Sequence, residues 1–276
     1  MSEARGFEYR WRDPLSTPQA MGAPPPVYIC TTEGSMIIER NVPVILRDGV
    51  RLFADLFRPA DEIPAPPIIA WTPYGKHDSG AAYYPPTADV PLEGISPYAT
   101  FEGPDPGYWV PRGYAVIHID IRGTWHSQGD ATFVSPEEAE DFYDVIEWAG
   151  TQPWSNSRVG LSGVSYLALS QFRVAQLQPP HLAAINPWEG WTDTYREVAF
   201  HGGIPDTWFW AKVLVDRWGT SSTRIEDIRT ETREHPFFDA FWASKTVDFS
   251  RVKVPAFCGS RLGRSGDASA RHARGL

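Results

Sequence analysis

The chain has 276 residues, 42% hydrophobic and 21% charged, enough for one large α/β domain or two small ones and too apolar for wholesale disorder. Its net charge of −9 argues against nucleic-acid binding, which wants a basic face. Cys30 and Cys258 cannot build a disulfide framework or a cysteine-rich metal site, no long apolar run predicts a membrane span, and the start, MSEARGFEYRWRDP, lacks the apolar stretch of a secretory signal, so a cytoplasmic, soluble protein is expected.

Residues 1–34, rich in Pro and Gly, read as an extended arm. Residues 36–58 predict two strands around Arg47-Asp48-Gly49, because Asp-Gly between alternating apolar runs is a hairpin signal. Ile68 to Trp71 predicts a short buried strand ended by Pro73, and 76–110 a loop rich in Gly, Pro and aromatics with room for one helix. The unbroken apolar run in GYAVIHIDIRG (113–123) predicts a strand covered on both faces. Ser135-Pro136-Glu137-Glu138 predicts an N-cap, a first-turn Pro and first-turn acids for a helix to about Gly150, with Phe142, Val145 and Ile146 on its buried face. A strand over 158–162, a helix to about Gln176 and a strand over 182–185 complete a β-α-β-α-β order, which points to a parallel sheet. The core is therefore expected over 35–187. Residues 188–246 predict a helical cap without strands, and 247–257 a returning, buried core strand.

Gly163-Val164-Ser165-Tyr166-Leu167 lies between a predicted strand and a predicted helix, the context of a nucleophile elbow. A sharp turn with small neighbours lifts the serine off the sheet, and the helix behind it aims free N–H groups at a developing oxyanion. The usual pattern ends in Gly, where this chain has Leu167.

The motifs VPVILRDGVRLFADLFRP (42–59), WTPYGKHD (71–78), GYAVIHIDIRGTWHSQGD (113–130), EEAEDFYDVIEWAGTQPW (137–154) and GLSGVSYLALSQ (160–171) resemble, in this order, those of the X-Pro dipeptidyl-peptidase-like hydrolases, which include cocaine esterase and related acyl esterases. The resemblance covers about 36–257. It implies an α/β-hydrolase core with a helical cap, a C-terminal jelly-roll domain and a Ser-His-Asp triad, and it implies no cofactor. It makes Ser165 the nucleophile, the Tyr166 backbone N–H one oxyanion donor and the Tyr74 hydroxyl the other. Asp120 and Arg122 match a D-x-R-G turn, where an ion pair beneath the site is expected. The Leu167-Ala168 departure from the family's small residues is expected to affect helix packing more than chemistry.

Acid and histidine should follow the nucleophile in that order. His181 and His201 come too early, and His235 falls in the cap. His272 follows Asp267 too closely for a crossover connection. From Cys258 to Leu276 there is no aromatic residue, and Gly, Ala, Ser and Arg supply 14 of 19 residues. That is the composition of GC-rich DNA read out of frame, and a one-base shift, with suitable codons, yields a segment containing W-A-D like the family's acid strand. Residues 258–276 are accordingly expected to be an aberrant tail that replaces the acid and ends the chain before the histidine and the jelly roll.

The leading reading is a serine hydrolase cleaving small-molecule ester or amide acyl bonds, impaired by truncation. The alternative is a non-catalytic remnant that keeps the α/β core. A metal hydrolase built on His77, Asp78 and His126 is disfavoured, because no H-x-H or H-E-x-x-H spacing occurs.

Overall fold

The computed structural model describes residues 6–61, 63–76 and 94–260. The arm is anchored rather than loose. Its strand β1 (Trp11–Arg12) pairs antiparallel with Ile225–Glu226 of the cap, and Leu15 N donates to Gly219 O at 2.9 Å. Its second strand, β2 (Ile29–Glu33), forms the outer edge of the central sheet beside β3 (Met36–Ile45). Asp48-Gly49 turns the chain into β4 (Arg51–Pro59) as the hairpin signal predicts. Gly49 supplies a φ of +86°, and the Asp48 carboxylate accepts from Val50 N at 3.0 Å.

The buried strand β5 (Pro67–Thr72) follows, then the short helix α1 (Pro106–Trp109), β6 (Ala115–Asp120), α2 (Pro136–Gly150), β7 (Val159–Val164), α3 (Tyr166–Ala175) and β8 (Leu182–Trp188). These strands make one seven-stranded sheet, ordered β2-β3-β4-β6-β5-β7-β8. The β6-β5-β7-β8 pairs are parallel, and β4 joins β6 antiparallel. Every residue of β5 and β6 is buried, because both faces of the sheet are covered there. The start of α2 is built as expected. Ser135 Oγ accepts from Glu138 N at 3.0 Å, and Phe142 stacks on Trp71 with centroids 4.5 Å apart.

Two expectations need correction. The cap is not strand-free. It contains the hairpin β9 (Phe200–His201) and β10 (Ile204–Pro205), α4 (Val215–Arg217), and β11 (Ile225–Glu226), the partner of β1, before α5 (Ile228–Glu234) and α6 (Ala240–Ser244). The Gly202-Gly203 turn, φ +61° and +83°, was a two-residue hairpin signal, but strands this short leave no alternation to read. The helical periodicity of 207–218 resolves into a π-helical turn over Phe209–Leu214 running into α4. The returning segment does run parallel beside β8, with Phe257 N donating to Ile185 O at 3.0 Å and Glu189 N to Gly259 O at 3.1 Å. It is not buried, however: Phe257 is 70% exposed beside an open apolar groove of about 410 Å³ over Gly160, Ser162 and Ala184. Of the tail beyond it, 261–276, Asp267 and His272 included, lies outside the described residues, as do His77 and Asp78.

At the centre of the sheet, fully buried His118 faces Asp55 across the β4–β6 pair and donates from Nε2 to Pro104 O at 2.9 Å. Burial pulls its pKa down to about 4, against the pull of that bond and of Asp55. Because the folded value is depressed, this stability is complete above about pH 6.5 and is lost as pH falls through 4, roughly 3 kcal/mol in all. In urea melts at pH 6.5 and 4.5, His118→Gln should lose less stability on acidification than the native protein. Equal losses would assign the acid sensitivity elsewhere.

Candidate active site

Strand β7 delivers the chain to Ser165, which caps α3 with φ +57° and ψ −114°. Positive φ in a non-Gly residue is strained, and here the surroundings enforce it. Ser165 N donates to Trp188 O at 2.9 Å, and Val164 N donates to Glu102 O at 3.1 Å. A Cβ on Gly163 would sit 2.4 Å from Leu167 Cβ, so the glycine before the serine is what lets Leu167 pack at the elbow. The Leu167 departure is thus accommodated as packing, with the residue buried in the first turn of α3.

Ser165 is half-buried. Tyr166 opens α3, so its backbone N–H belongs to the first turn, which has no intrahelical acceptor. Its side chain does something else. It is fully buried, and its hydroxyl donates to Glu138 at 2.7 Å. Tyr74 follows β5, braced where its own N–H reaches Thr72 Oγ1 at 3.0 Å. Ser165, Glu102 and Trp218 all lie close enough to the buried Tyr74 hydroxyl to act on its pKa. Burial first, and then the charge of Glu102, hold the phenol well above its ordinary pKa, so it keeps its proton. Of the three residues singled out from the motifs, Tyr166 directly follows Ser165 at the start of α3 and Tyr74 lies near it beyond β5.

This arrangement is a strained serine at a strand-to-helix turn with a phenol against it. The X-Pro dipeptidyl-peptidase (S15) profile matches residues 48–226. The chain belongs to this family. It is 34% identical over 164 residues to a cocaine esterase from Rhodococcus, which is 59% of this chain and 25% of that one. It is 30% identical over 154 residues to an Xaa-Pro dipeptidyl-peptidase from Lacticaseibacillus rhamnosus, 49% of this chain and 17% of that one. Among solved structures, a CocE/NonD family hydrolase from Staphylococcus aureus superposes with a TM-score of 0.73 at 45% identity, over 80% of this chain and 40% of that one. The fold is accordingly the α/β-hydrolase fold. The chain spans well under half the length of each of these relatives.

Arg122 clamps Asp141 at 2.6 Å and Asp48 at 2.8 Å, while Asp120 accepts from Lys76 N at 2.7 Å, so the two residues of the D-x-R-G turn have separate partners. His181 bonds Glu147 at 2.7 Å, and His235 bonds Asp239 at 2.6 Å and stacks on Phe241. No helix among the described residues is long and apolar enough to cross a membrane.

One residue of the site escaped the sequence reading. Glu102, at φ +63°, gives its carbonyl to the elbow, where it accepts from Val164 N. A glutamate in a Gly/Pro-rich loop leaves no periodic signal. Its only mark was its place in the run Phe101-Glu102-Gly103-Pro104 before α1.

Proposed function

We propose that this chain carries the nucleophile and the oxyanion hole of a serine hydrolase that cleaves ester or amide acyl bonds of small molecules. The reading rests on one observation, the positive-φ backbone of Ser165 at the β7–α3 turn with the buried Tyr74 phenol nearby. Ser165 Oγ attacks the acyl carbon and passes its proton to a base. The tetrahedral oxyanion takes hydrogen bonds from Tyr74 O–H and Tyr166 N–H, which strengthen as charge builds. The acyl bond then breaks, the leaving group takes a proton, and water releases the acyl-serine. A hydroxyl without a base is a weak nucleophile. His118, His181 and His235 are bonded elsewhere, so the base is a group other than these three.

A fluorophosphonate probe followed by peptide mapping tests this. The expected adduct is on Ser165, absent in Ser165→Ala and formed about 10²-fold more slowly in Tyr74→Phe, the usual loss for one oxyanion donor. No adduct, or one on another serine, would favour the non-catalytic remnant.

A further inference from the structure

We infer that Glu138 is a positioning residue of the Ser165 site: one buried carboxyl group ties together the two segments that carry the oxyanion donors, the end of β5 before Tyr74 and the start of α3 at Tyr166. The inference rests on the serine-hydrolase reading and adds to it a residue that stands behind the donors. Glu138 lies buried in the first turn of α2. Its Oε1 accepts from Trp71 Nε1 at 2.8 Å and from the Tyr166 hydroxyl at 2.7 Å. Its Oε2 accepts from Val134 N at 2.6 Å. Val134 is a β-branched residue at φ +55°, the kind of strain that persists only where the surroundings enforce it.

Both side-chain bonds lie close in sequence to a donor. Trp71 stands in β5, three residues before Tyr74, and the link between them is stiff: Pro73 fixes its own φ, and Tyr74 N donates to Thr72 Oγ1 at 3.0 Å. The Trp71 indole is itself clamped, stacked on Phe142 of α2 with centroids 4.5 Å apart. Tyr166 directly follows Ser165, and its backbone N–H and its side chain share one Cα. Its ring meets Trp218 edge-on at 4.8 Å and Phe133 at 6.3 Å, while its hydroxyl is held by Glu138. Turning the Ser165–Tyr166 peptide would drag that ring through the core. An oxyanion hole works when its donors stand in place before charge develops, and a displacement of about 1 Å is enough to forfeit most of that effect. Glu138 fixes the spacing of the two donors because it holds both segments at once.

Fluorophosphonate labelling of the full chain tests this, read as a rate per folded molecule. Ser165 Oγ attacks phosphorus, a P–O bond forms, the P–F bond breaks, fluoride leaves and the hydroxyl proton passes to solvent. The phosphoryl oxygen stands where the oxyanion would. Glu138→Gln, which keeps the side-chain volume, is expected to slow labelling about tenfold, less than the loss of a whole donor. Two milder substitutions cut one arm each and decide the matter even if the Gln variant does not fold. Trp71→Phe acts through the Tyr74 arm alone, so it should slow labelling in the native background and have no effect once Tyr74→Phe is present. Tyr166→Phe acts through the main-chain arm, so its slowing should be the same with or without Tyr74→Phe. A merely structural role would divide the rate by the same factor in both backgrounds for every variant. Undiminished labelling of folded Glu138→Gln, or a Trp71→Phe effect of equal size in both backgrounds, with labelling that still requires Ser165, would overturn the role of Glu138 and leave the serine reading standing. Labelling that survives Ser165→Ala, or none in the native chain, would overturn both.

Discussion

Asp55→Ala is expected to lower unfolding stability by about 3–5 kcal/mol, a large share of the roughly 5–15 kcal/mol typical of a folded domain. Asp55 is fully buried on β4. Its two oxygens accept from Arg40 at 2.7 Å, from Asn41 N at 2.9 Å and from Lys76 Nζ at 2.8 Å. The Lys76 side chain is only 1% exposed, so removing the carboxylate takes an acidic partner from a buried ammonium. The β3 bulge loosens too, because Asn41 sits at φ +56° between the shifted registers of Glu39 and Val42. Lys76 stands two residues beyond Tyr74, so the same pair fixes the segment that presents the phenol to Ser165. The double substitution Asp55→Leu with Lys76→Met should regain most of the loss, since it is the buried charge and not the missing bond that dominates. Urea titrations of the two singles and the double supply the cycle. A cost for Asp55→Ala below about 1 kcal/mol would mean that water reaches the pair.

The candidate nucleophile was legible because its signal is local. Gly163-Val164-Ser165 needs a strand before it and a helix after it: β7 alternates buried and half-buried residues, and α3 is buried throughout. Tyr74 was legible only through a motif, since a tyrosine after a strand has no signature of its own. What stayed hidden depends on contacts distant in sequence. The edge strand β2 is exposed at all five residues, so no burial pattern marks it, and only pairing with β3 makes it a strand. The β1–β11 ladder joins positions more than 200 residues apart through two residues on each side, which no periodicity can reveal. Glu102 is of the same kind. Its meaning lies in the meeting of its loop with β7 and with Tyr74.

The other large effect belongs to Glu138, which the sequence marked only as a first-turn acid at the start of a helix. It is 5% exposed and gathers three donors: Trp71 Nε1 at 2.8 Å, the Tyr166 hydroxyl at 2.7 Å and Val134 N at 2.6 Å. Glu138→Ala strands all three in the core and opens a cavity. At about 1–3 kcal/mol for each orphaned group, the variant should lose on the order of 4–6 kcal/mol and melt near room temperature. The loss should also change how the protein responds to pH. Burial raises the Glu138 pKa to about 7, against the pull of its three donors and Lys245. A carboxyl group raised on folding binds its proton more tightly in the native state, so its contribution is complete below about pH 4.5 and shrinks as pH rises through 7, by roughly 3 kcal/mol. His118 acts with opposite sign over nearly the same window. Native stability between pH 4.5 and 6.5 should therefore vary little while two strong dependences cancel. Glu138→Gln removes the falling one and should expose a stability that climbs steeply from pH 4.5 to 6.5. Chemical denaturation at four or five pH values would show it, and a profile for Glu138→Gln parallel to the native one would place the Glu138 carboxyl in contact with water rather than inside the Trp71–Tyr166 cluster.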